Sequence, residues 1–480
     1  MLQLNREDRV LEQGPRRSVR WFGTALLALG CLAPAGVARA QAEAPQTLTL
    51  LDAIELARKN YPILKEVHAR AQGAEAAVTL AGTAYMPRLD VLWQGNRATR
   101  NNVFGLLLPQ SVVPPISGPV LGTTSYDSVW GSAAGVLLSW QAVDFGVRKA
   151  NVQAARAQAS FAKAQSALTE LDATAAAADA FVSVLAADQA VRAARANVER
   201  LQTFAESVRT LVRNQLRPGA DESRADAELA IAQNQVSQSL QTAAIARAAL
   251  ADAIGAAGTT FTLDVGPLAS LPSSTAVETS NADMHPAVRA AAAAVETVQA
   301  RERALARSYA PRVDLQSAYS RRGTGAEVPG QVSPENGFEL DVPNWAVGVT
   351  VSFSVFEGFA VNARKRIEAQ NELAERARQE QAIQRVSTER ARADALMTAA
   401  TDIARQTPIE LKAAVDAESR ARARYASGLA TATEVAETQR LLAQAEVDDA
   451  LARLGMWRAL LAVTQAAGDL TPFLERIRRP

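Results

Sequence analysis

A stretch of strict alternation, residues 345–355, most constrains how this chain can fold. Its sequence is WAVGVTVSFSV, so every second residue is apolar and each residue between is small or polar. A period of two predicts a β-strand with one apolar face. The length also matches the ~9–11 residues that a tilted strand needs to cross a bilayer. We therefore expect a membrane strand whose apolar face meets lipid: Trp345, Val347, Val349, Val351, Phe353 and Val355.

Three further stretches show weaker alternation and predict three more strands. With the first stretch, the predicted strands cover residues 88–97, 129–141, 312–322 and 345–356. Trp130 and Trp140 bracket the second of them, as expected of aromatic residues at the two interfaces of a bilayer. The segments 101–128 and 323–344, which follow the first and third strands, read as surface loops, the first of them rich in Pro and Gly.

Most of the remaining chain is rich in Ala and predicts very long helices. A heptad seam, the pattern of coiled-coil packing, runs through the first of them. Its members are Ala180, Val184, Ala187, Val191, Ala194, Val198, Leu201, Ala205, Val208 and Val212. Breaks near Pro218 and Gly428 predict two antiparallel helical hairpins, at 143–255 and 358–467. Pro408 lies inside the second hairpin and is expected to bend it.

The two halves of the chain are copies of one pattern. The sequence YMPRLD at 85–90 returns as YAPRVD at 309–314, and Tyr61-Pro62 returns as His285-Pro286 at the same offset. The predicted organisation is a signal peptide (1–40), a first repeat (41–255), a linker (256–283), a second repeat (284–468) and a tail (469–480).

The first forty residues resemble an export signal. Three arginines between positions 16 and 20 precede an apolar run that is too short to span a membrane, and Ala38-Arg39-Ala40 forms a small-x-small cleavage site. Cleavage before Cys31, as in a lipoprotein, is the alternative. Either way the chain is expected outside the cytoplasm.

The composition argues against catalysis. Two histidines and one cysteine leave little for a metal or thiol site, and no nucleophile–base pair or phosphate loop is present. The net charge of +1 gives no general attraction to nucleic acid. We expect no enzyme activity, no cofactor, no metal and no nucleic-acid partner.

Four strands cannot close a membrane barrel alone. About eight is the minimum, and lipid tolerates no open sheet edge. The strands must therefore be shared among copies of the chain, with the helical hairpins gathered around the same axis. The alternative is a soluble periplasmic coiled-coil protein with a small β-domain, but that reading leaves the Trp-bounded strands unexplained.

Three motifs resemble the TolC-type outer-membrane efflux protein family over residues 45–468. They are the doubled Tyr-x-Pro-Arg-x-Asp, the strand followed by Phe-Gly or Phe-Glu-Gly (145–146, 356–358), and RYASGLATATEV at 424–435. The resemblance implies a mainly α-helical homotrimer with long helical hairpins and a shared twelve-stranded β-barrel in the outer membrane. It also implies a passive duct that docks to a periplasmic adaptor and an inner-membrane transporter. The substrate stays open, and the outer-membrane component of a type I protein secretion system is an alternative.

The same resemblance assigns roles to the periplasmic tip of the second hairpin. Tyr425, Gly428, Glu434 and Glu437 match the family's positions for adaptor contact and closure of the tube. A basic residue that is common in the family two positions after the glycine is Ala430 here, which casts doubt on a Tyr/Arg latch.

The two acidic residues also have a physical reading of their own. Glu434 and Glu437 lie three apart and share a helix face, so each would form a ring of carboxylates in a trimer and favour cations. Thr431 and Glu434 also form a candidate capping box, a purely structural role compatible with the ring. In the first tip, Leu216 is expected at the place of the glycine, with Glu222 and Ala225 at the places of the acids.

The predicted facing of the strand can be tested by single charges. A Lys at Val349 or Val351 should block assembly, because a charge on the lipid face near the bilayer midplane costs ~2–4 kcal/mol per chain. Thr350→Lys, on the water-facing side, should be tolerated. Amounts of assembled protein in the outer-membrane fraction measure the difference, and equal behaviour of the two classes would show the facing assignment to be wrong.

Overall fold

The computed structural model describes residues 46–99, 128–272, 281–324 and 336–478. The predicted signal peptide, Cys31 and most of both predicted surface loops lie outside these ranges.

Within the described residues the first half of the chain contains four strands and four helices. They are β1 (Gln46–Leu48), α1 (Leu50–Asn60), α2 (Pro62–Thr83), β2 (Arg88–Thr99), β3 (Ser128–Val143), α3 (Val147–Arg213), α4 (Gly219–Ala253) and β4 (Phe261–Leu263). The second half repeats the order from α2 to α4 and adds a C-terminal helix: α5 (Pro286–Ser308), β5 (Arg312–Thr324), β6 (Val342–Ser352), α6 (Glu357–Ala426), α7 (Ala432–Ala467) and α8 (Thr471–Arg478).

The four long strands form one antiparallel sheet in the order β2-β3-β5-β6. The last strand is shifted relative to the expected range 345–356: it begins at Val342 and ends at Ser352. Its partner sets these limits, because the first residue of β5, Arg312, pairs with Ser352. Phe353 and Val355 therefore lie beyond the strand. Pro343 is accommodated because it is the second residue of β6, next to the start of the strand, where a missing N–H disturbs the hydrogen-bond ladder least.

The first long helix starts later than the expected residue 143, because Val143 still belongs to β3. Asp144 forms the turn between them. Its carboxylate accepts hydrogen bonds from the backbone N–H groups of Gly146 (3.2 Å) and Arg148 (2.6 Å), and from Nε of Arg148 (2.9 Å). In the second repeat, α6 continues through Pro408 without interruption.

α3 lies at the centre of the fold and packs against helices of both repeats. It contacts α1, α2, α4, α5 and α7, and seven of the ten predicted seam residues are buried while the other three are half-buried. α3 is long and apolar enough to span a membrane by composition, yet more than half of its most apolar window is buried inside the protein. That burial is typical of a core helix.

The predicted linker contains structure that the sequence did not indicate. β4 lies within it and pairs in parallel with β1. Next to this small sheet, Phe181 of α3, Leu460 of α7 and Phe473 of α8 are fully buried in the main hydrophobic core. Segments of three residues are too short for a periodic pattern, so this pairing depends on the tertiary structure.

The repeats also share a joint between the end of each hairpin and the start of the short helix before each strand. Gly255 follows α4 and Gly468 follows α7, and both have a positive φ. A Cβ on Gly255 would lie 3.0 Å from the backbone nitrogen of Tyr61, and one on Gly468 would lie 2.9 Å from Cδ2 of His285. Glycine is required at both places for this close approach.

His285 makes the second joint titratable. Its ring is buried; Nδ1 accepts the N–H of Ala287 (3.1 Å), and Nε2 lies 3.3 Å from the carbonyl oxygen of Gln465. A carbonyl only accepts, so Nε2 must be the donor and the ring is neutral. Burial lowers the pKa of His285, and nearby Arg390 of α6 lowers it further. The hydrogen bond to the carbonyl of Gln465 and the charges of Glu389 and Asp172 oppose this shift but do not outweigh it.

We expect acid to destabilise this joint. Protonation of Nδ1 would remove the cap of α5 and place a cation at a helix N-terminus. Since the folded state disfavours the charged ring, the unfolded chain binds the proton first. The free energy of unfolding is therefore fully present above the ordinary histidine pKa of 6.5 and falls as the pH is lowered through it.

Thermal unfolding followed by circular dichroism between about pH 7.5 and about pH 5.5 measures this effect. His285→Asn keeps a capping acceptor that does not titrate and should flatten the dependence. His68→Asn, which changes the exposed second histidine, should leave it unchanged. Equal slopes in the wild type and His285→Asn would contradict the assignment.

Candidate functional site: the sheet and the hairpin tips

The four-stranded sheet has one face that carries mainly apolar side chains. The register pairs Val91 with Val136, Val136 with Tyr319, and Tyr319 with Trp345, so these four residues lie on the same side of neighbouring strands. The same face carries further exposed apolar side chains: Leu89, Trp93, Trp130, Trp140, Val347, Val349 and Val351. An exposed, mostly apolar face of this extent is not typical of a surface that meets water.

The residues of the alternating stretch are exposed in the way that the sequence predicts. Trp345 is 77% exposed and Val351 is 67% exposed, whereas Ala346, Gly348 and Thr350 between them are half-buried. Phe353 and Val355 are exposed as well, although they lie beyond β6. The ring of Tyr309 packs edge-on against Phe353 at 5.0 Å, and its hydroxyl donates to the carbonyl oxygen of Val355 (3.1 Å).

Both outer strands of this sheet are open. Among the described residues β2 pairs only with β3, and β6 pairs only with β5. Each therefore leaves one row of backbone N–H and C=O groups without a partner strand.

Two helices also present apolar residues without a partner in the described part of the chain. On α4 the large exposed ones are Ile231, Leu240 and Ile245. On α6 they are Phe359, Ile367, Leu373, Ile383, Leu396, Ile403, Ile409 and Val415. The helices between them, α3 and α7, contact each other, so α4 and α6 lie at the two edges of the helical layer.

The tip of the second hairpin is built on Gly428. The glycine has φ +78°, its N–H donates to the carbonyl oxygen of Tyr425 (3.0 Å), and the N–H of Leu429 donates to that of Arg424 (2.8 Å). This pair of bonds is a Schellman motif, which satisfies the last carbonyl groups of α6 and turns the chain.

The first tip has the same motif, and this corrects the expected alignment. Gln215, with φ +58°, occupies the glycine position, and the N–H of Leu216 donates to the carbonyl oxygen of Leu211 (2.9 Å). Leu216 is thus the counterpart of Leu429, and not of Gly428 as the sequence suggested. Nothing in the sequence marks the position, because here a glutamine takes the left-handed conformation that a glycine takes in the second tip.

The corrected alignment also changes the counterparts of the acidic residues. Counting from the helix starts, Gly219 matches Ala432, so Asp221 and not Glu222 occupies the position of Glu434. Likewise Arg224, and not Ala225, occupies the position of Glu437.

Tyr425 lies buried between the two tips. Its ring packs edge-on against Phe204 at 5.4 Å, and the guanidinium of Arg217 lies over it at 4.4 Å from the ring centre. The same guanidinium donates to the carbonyl oxygens of Tyr425 (3.0 Å) and Ala430 (3.3 Å). Burial raises the pKa of Tyr425, and the charge of Asp221 raises it further.

Arg217 is the residue that sequence reasoning missed. It stands two positions after Gln215, as Ala430 stands two positions after Gly428. The basic residue absent from the second tip is therefore present in the first, and it reaches across to the tyrosine of the second. Aligning the tips by their helix ends, instead of by the glycine, would have located it.

The two glutamates of the second tip have different surroundings. Thr431 caps α7 by accepting the N–H of Glu434 (3.3 Å), but the expected capping box is only half formed, since the carboxylate of Glu434 lies 3.6 Å from Nε of Arg424 instead. Glu437 is exposed. Among the described residues no cluster of His, Cys, Asp and Glu could hold a metal ion.

Comparison with known protein families identifies the family that this chain resembles. A model of the outer membrane efflux protein family matches residues 53–256 and 281–469. No curated protein matches the chain significantly.

Solved structures match nearly the whole chain at low identity. The outer membrane channel CmeC of Campylobacter jejuni is 12% identical, with 90% of this chain and 89% of that chain covered and a TM-score of 0.72. VceC of Vibrio cholerae is 17% identical, with 88% of this chain and 96% of that chain covered and a TM-score of 0.69. The open state of MtrE of Neisseria gonorrhoeae is 18% identical, with 88% of this chain and 89% of that chain covered and a TM-score of 0.68. The likenesses confirm the predicted fold class, a mainly α-helical chain with membrane strands.

Loss of the guanidinium at position 217 should loosen the second tip. We expect Arg217→Ala to speed hydrogen exchange at Gly428 and Leu429 by roughly tenfold, because a charged donor to two carbonyl groups is lost. Arg217→Lys should recover only part of the protection, since Lys cannot stack and donate as a planar fork. Arg213→Ala, which removes an exposed arginine of the same tip, is the control. Unchanged exchange in Arg217→Ala would contradict a fastening role.

Proposed function

We propose that this chain, which belongs to the outer membrane efflux protein family, forms a homotrimeric, passive outer-membrane duct for a tripartite efflux or secretion system. The predicted family and the outer-membrane location are confirmed by the family match. In the proposed assembly three four-stranded sheets make one twelve-stranded barrel, and the helical hairpins continue it as a tube into the periplasm.

The observation that carries the proposal is the pair of open edges on an apolar sheet. Lipid offers no hydrogen-bond partner for the free sides of β2 and β6, so these edges must pair with other copies. In a ring of three chains, β2 of one copy pairs with β6 of the next, and every edge is satisfied.

The apolar residues on α4 and α6 support the same arrangement. They lie on the two edge helices of the helical layer, so neighbouring copies would bury them against each other as the ring closes. A single mechanism, repetition around an axis, thus removes the open strand edges and the unpartnered helix faces together.

The hairpin tips are suited to closing the periplasmic end. In the proposed tube Tyr425, held by Arg217, fastens the two hairpins of one copy together, while Gly428 sets the turn. Glu434 and Glu437 lie in the first two turns of α7, just after this turn. Repeated three times, Glu437 forms a ring of exposed carboxylates, whereas Arg424 partly neutralises Glu434.

The tips are also the proposed docking surface for a periplasmic adaptor, which in turn joins an inner-membrane transporter. Leu216 and Leu429 occupy equivalent positions and are 68% and 71% exposed. Any adaptor would therefore meet six similar apolar contacts around the tube, one on each tip, although the tips of the two repeats differ in charge.

Localisation and assembly test the proposal directly. The chain should fractionate with the outer membrane, migrate as a heat-sensitive trimer on gels and form conducting pores in planar bilayers. A protein that stays soluble in the periplasm would support the coiled-coil alternative and overturn the proposal.

Conductance tests the acidic rings. The double change Glu434→Gln, Glu437→Gln should reduce the cation preference of the pore and weaken its block by multivalent cations, because fixed carboxylates near the axis concentrate cations. Glu437→Gln alone should account for most of the loss, since Arg424 pairs with Glu434. Asp402→Gln, a change far from the tip, is the control. If the double variant kept its cation preference and its block by multivalent cations, the assignment of the carboxylate rings would be wrong.

A further inference from the structure

Two arginines stand on the apolar face of the sheet at the end away from the helices. Arg97 of β2 and Arg321 of β5 have odd numbers, like the exposed apolar residues Leu89, Val91 and Tyr319 that precede them on the same strands. The register agrees, because Arg97 pairs with Trp130, and Arg321 pairs with Ala134 and Pro343. Both side chains are exposed, and in a barrel they point outward, away from the lumen.

The duplication places the two arginines at one height. Each stands nine residues after the arginine of its own Pro-Arg-x-Asp motif, Arg88 or Arg312, with which β2 and β5 begin. Nine residues at ~3.3 Å each on strands tilted by ~40° correspond to roughly 23 Å of height, close to the ~25 Å of a barrel's apolar band. The guanidinium groups therefore reach the far boundary of the apolar band.

The surroundings of Arg97 hold its charge at that boundary. The guanidinium lies 5.6 Å from the ring centre of Trp130, and Nε donates to the hydroxyl of Ser128 (2.9 Å). Within the described ranges no other hydrogen bond or ion pair holds this guanidinium, so its two terminal nitrogens are placed to bind another acceptor. Among the described residues no ion pair involves Arg321.

We propose that Arg97 and Arg321 form a binding site for the phosphate groups of the outer-leaflet glycolipid. The inference rests on the proposed trimeric barrel, in which the repeat gives a ring of six outward guanidinium groups at the level of the lipid headgroups. An arginine fork matches a phosphate by two parallel hydrogen bonds. An aromatic side chain just below each arginine, Trp93 or Tyr319, matches the interfacial belt of membrane proteins.

The site commits to a lipid, and not to a soluble anion, because it faces the bilayer. On the helix side of the two arginines the exposed side chains of the same face, among them Trp93 and Tyr319, are aromatic or aliphatic. A phosphate bound there is therefore one that carries acyl chains along the surface below it. The lipid phosphates would also neutralise the charge of the two arginines. Among the described residues no carboxylate does so for Arg321.

The test uses the purified trimer in detergent with three probes: phosphorylated lipid A, dephosphorylated lipid A and inorganic phosphate. We expect phosphorylated lipid A to raise the midpoint temperature of trimer dissociation, and the other two probes to raise it less or not at all. The double variant Arg97→Gln, Arg321→Gln should lose this phosphate-dependent rise, and each single variant should lose part of it.

Arg312→Gln is the matched control. Arg312 lies on β5, as Arg321 does, but at the opposite end of the strand and on the face that points to the lumen. It should keep the full phosphate-dependent rise. Equal rises with both forms of lipid A, an equal rise with inorganic phosphate, or a full rise in the double variant would each overturn the lipid site.

The same preparation separates this inference from the proposed function. A chain that forms no trimer contradicts the duct and the site together. A trimer that conducts ions in bilayers but responds equally to both forms of lipid A retains the function and loses the site.

Discussion

A backbone hydrogen bond that cannot be made in lipid is the constraint on which the rest of this molecule depends. Residues of β2 and β6 carry apolar side chains on one face, yet in the part of the chain that the structure describes each strand has one free edge. Water would satisfy those edges, but it is absent from the bilayer core. In a membrane the sheet therefore requires a closed ring of copies, and the proposed oligomer rests on the same residues that give the sheet its apolar face.

Duplication solves the second part of the problem, the helical tube. Each repeat supplies a short helix, two strands and a long hairpin, and the helices of both repeats meet on α3. The copies have diverged where the hairpins end. One tip keeps a tyrosine and a glycine, the other keeps an arginine and a glutamine, and the arginine completes the tyrosine's environment across 208 residues of sequence. The contact that joins the hairpins thus takes its arginine from the first tip and its tyrosine from the second.

Much of this architecture could be predicted from the sequence, because the informative patterns are local and periodic. Alternation located the four strands, and the heptad seam located the buried face of α3. The limits of β6 could not be predicted, since they depend on where β5 begins. The alignment of the first tip was wrong because glutamine rarely adopts a positive φ. The contact of Arg217 with Tyr425 required the packing of the two hairpins.

The pairing of β2 with β6 between copies is the central claim, and cysteine cross-linking tests it most directly. Removal of Cys31, by cleavage or by substitution, leaves no other cysteine, so one cysteine at Gln94 of β2 and one at Ala346, Gly348 or Thr350 of β6 define the interface. A disulfide needs Cα atoms within about 7 Å, so only the correct register should link efficiently. The account predicts products that join separate chains and stop at three. Products confined to one chain, or a ladder continuing beyond three chains, would contradict it.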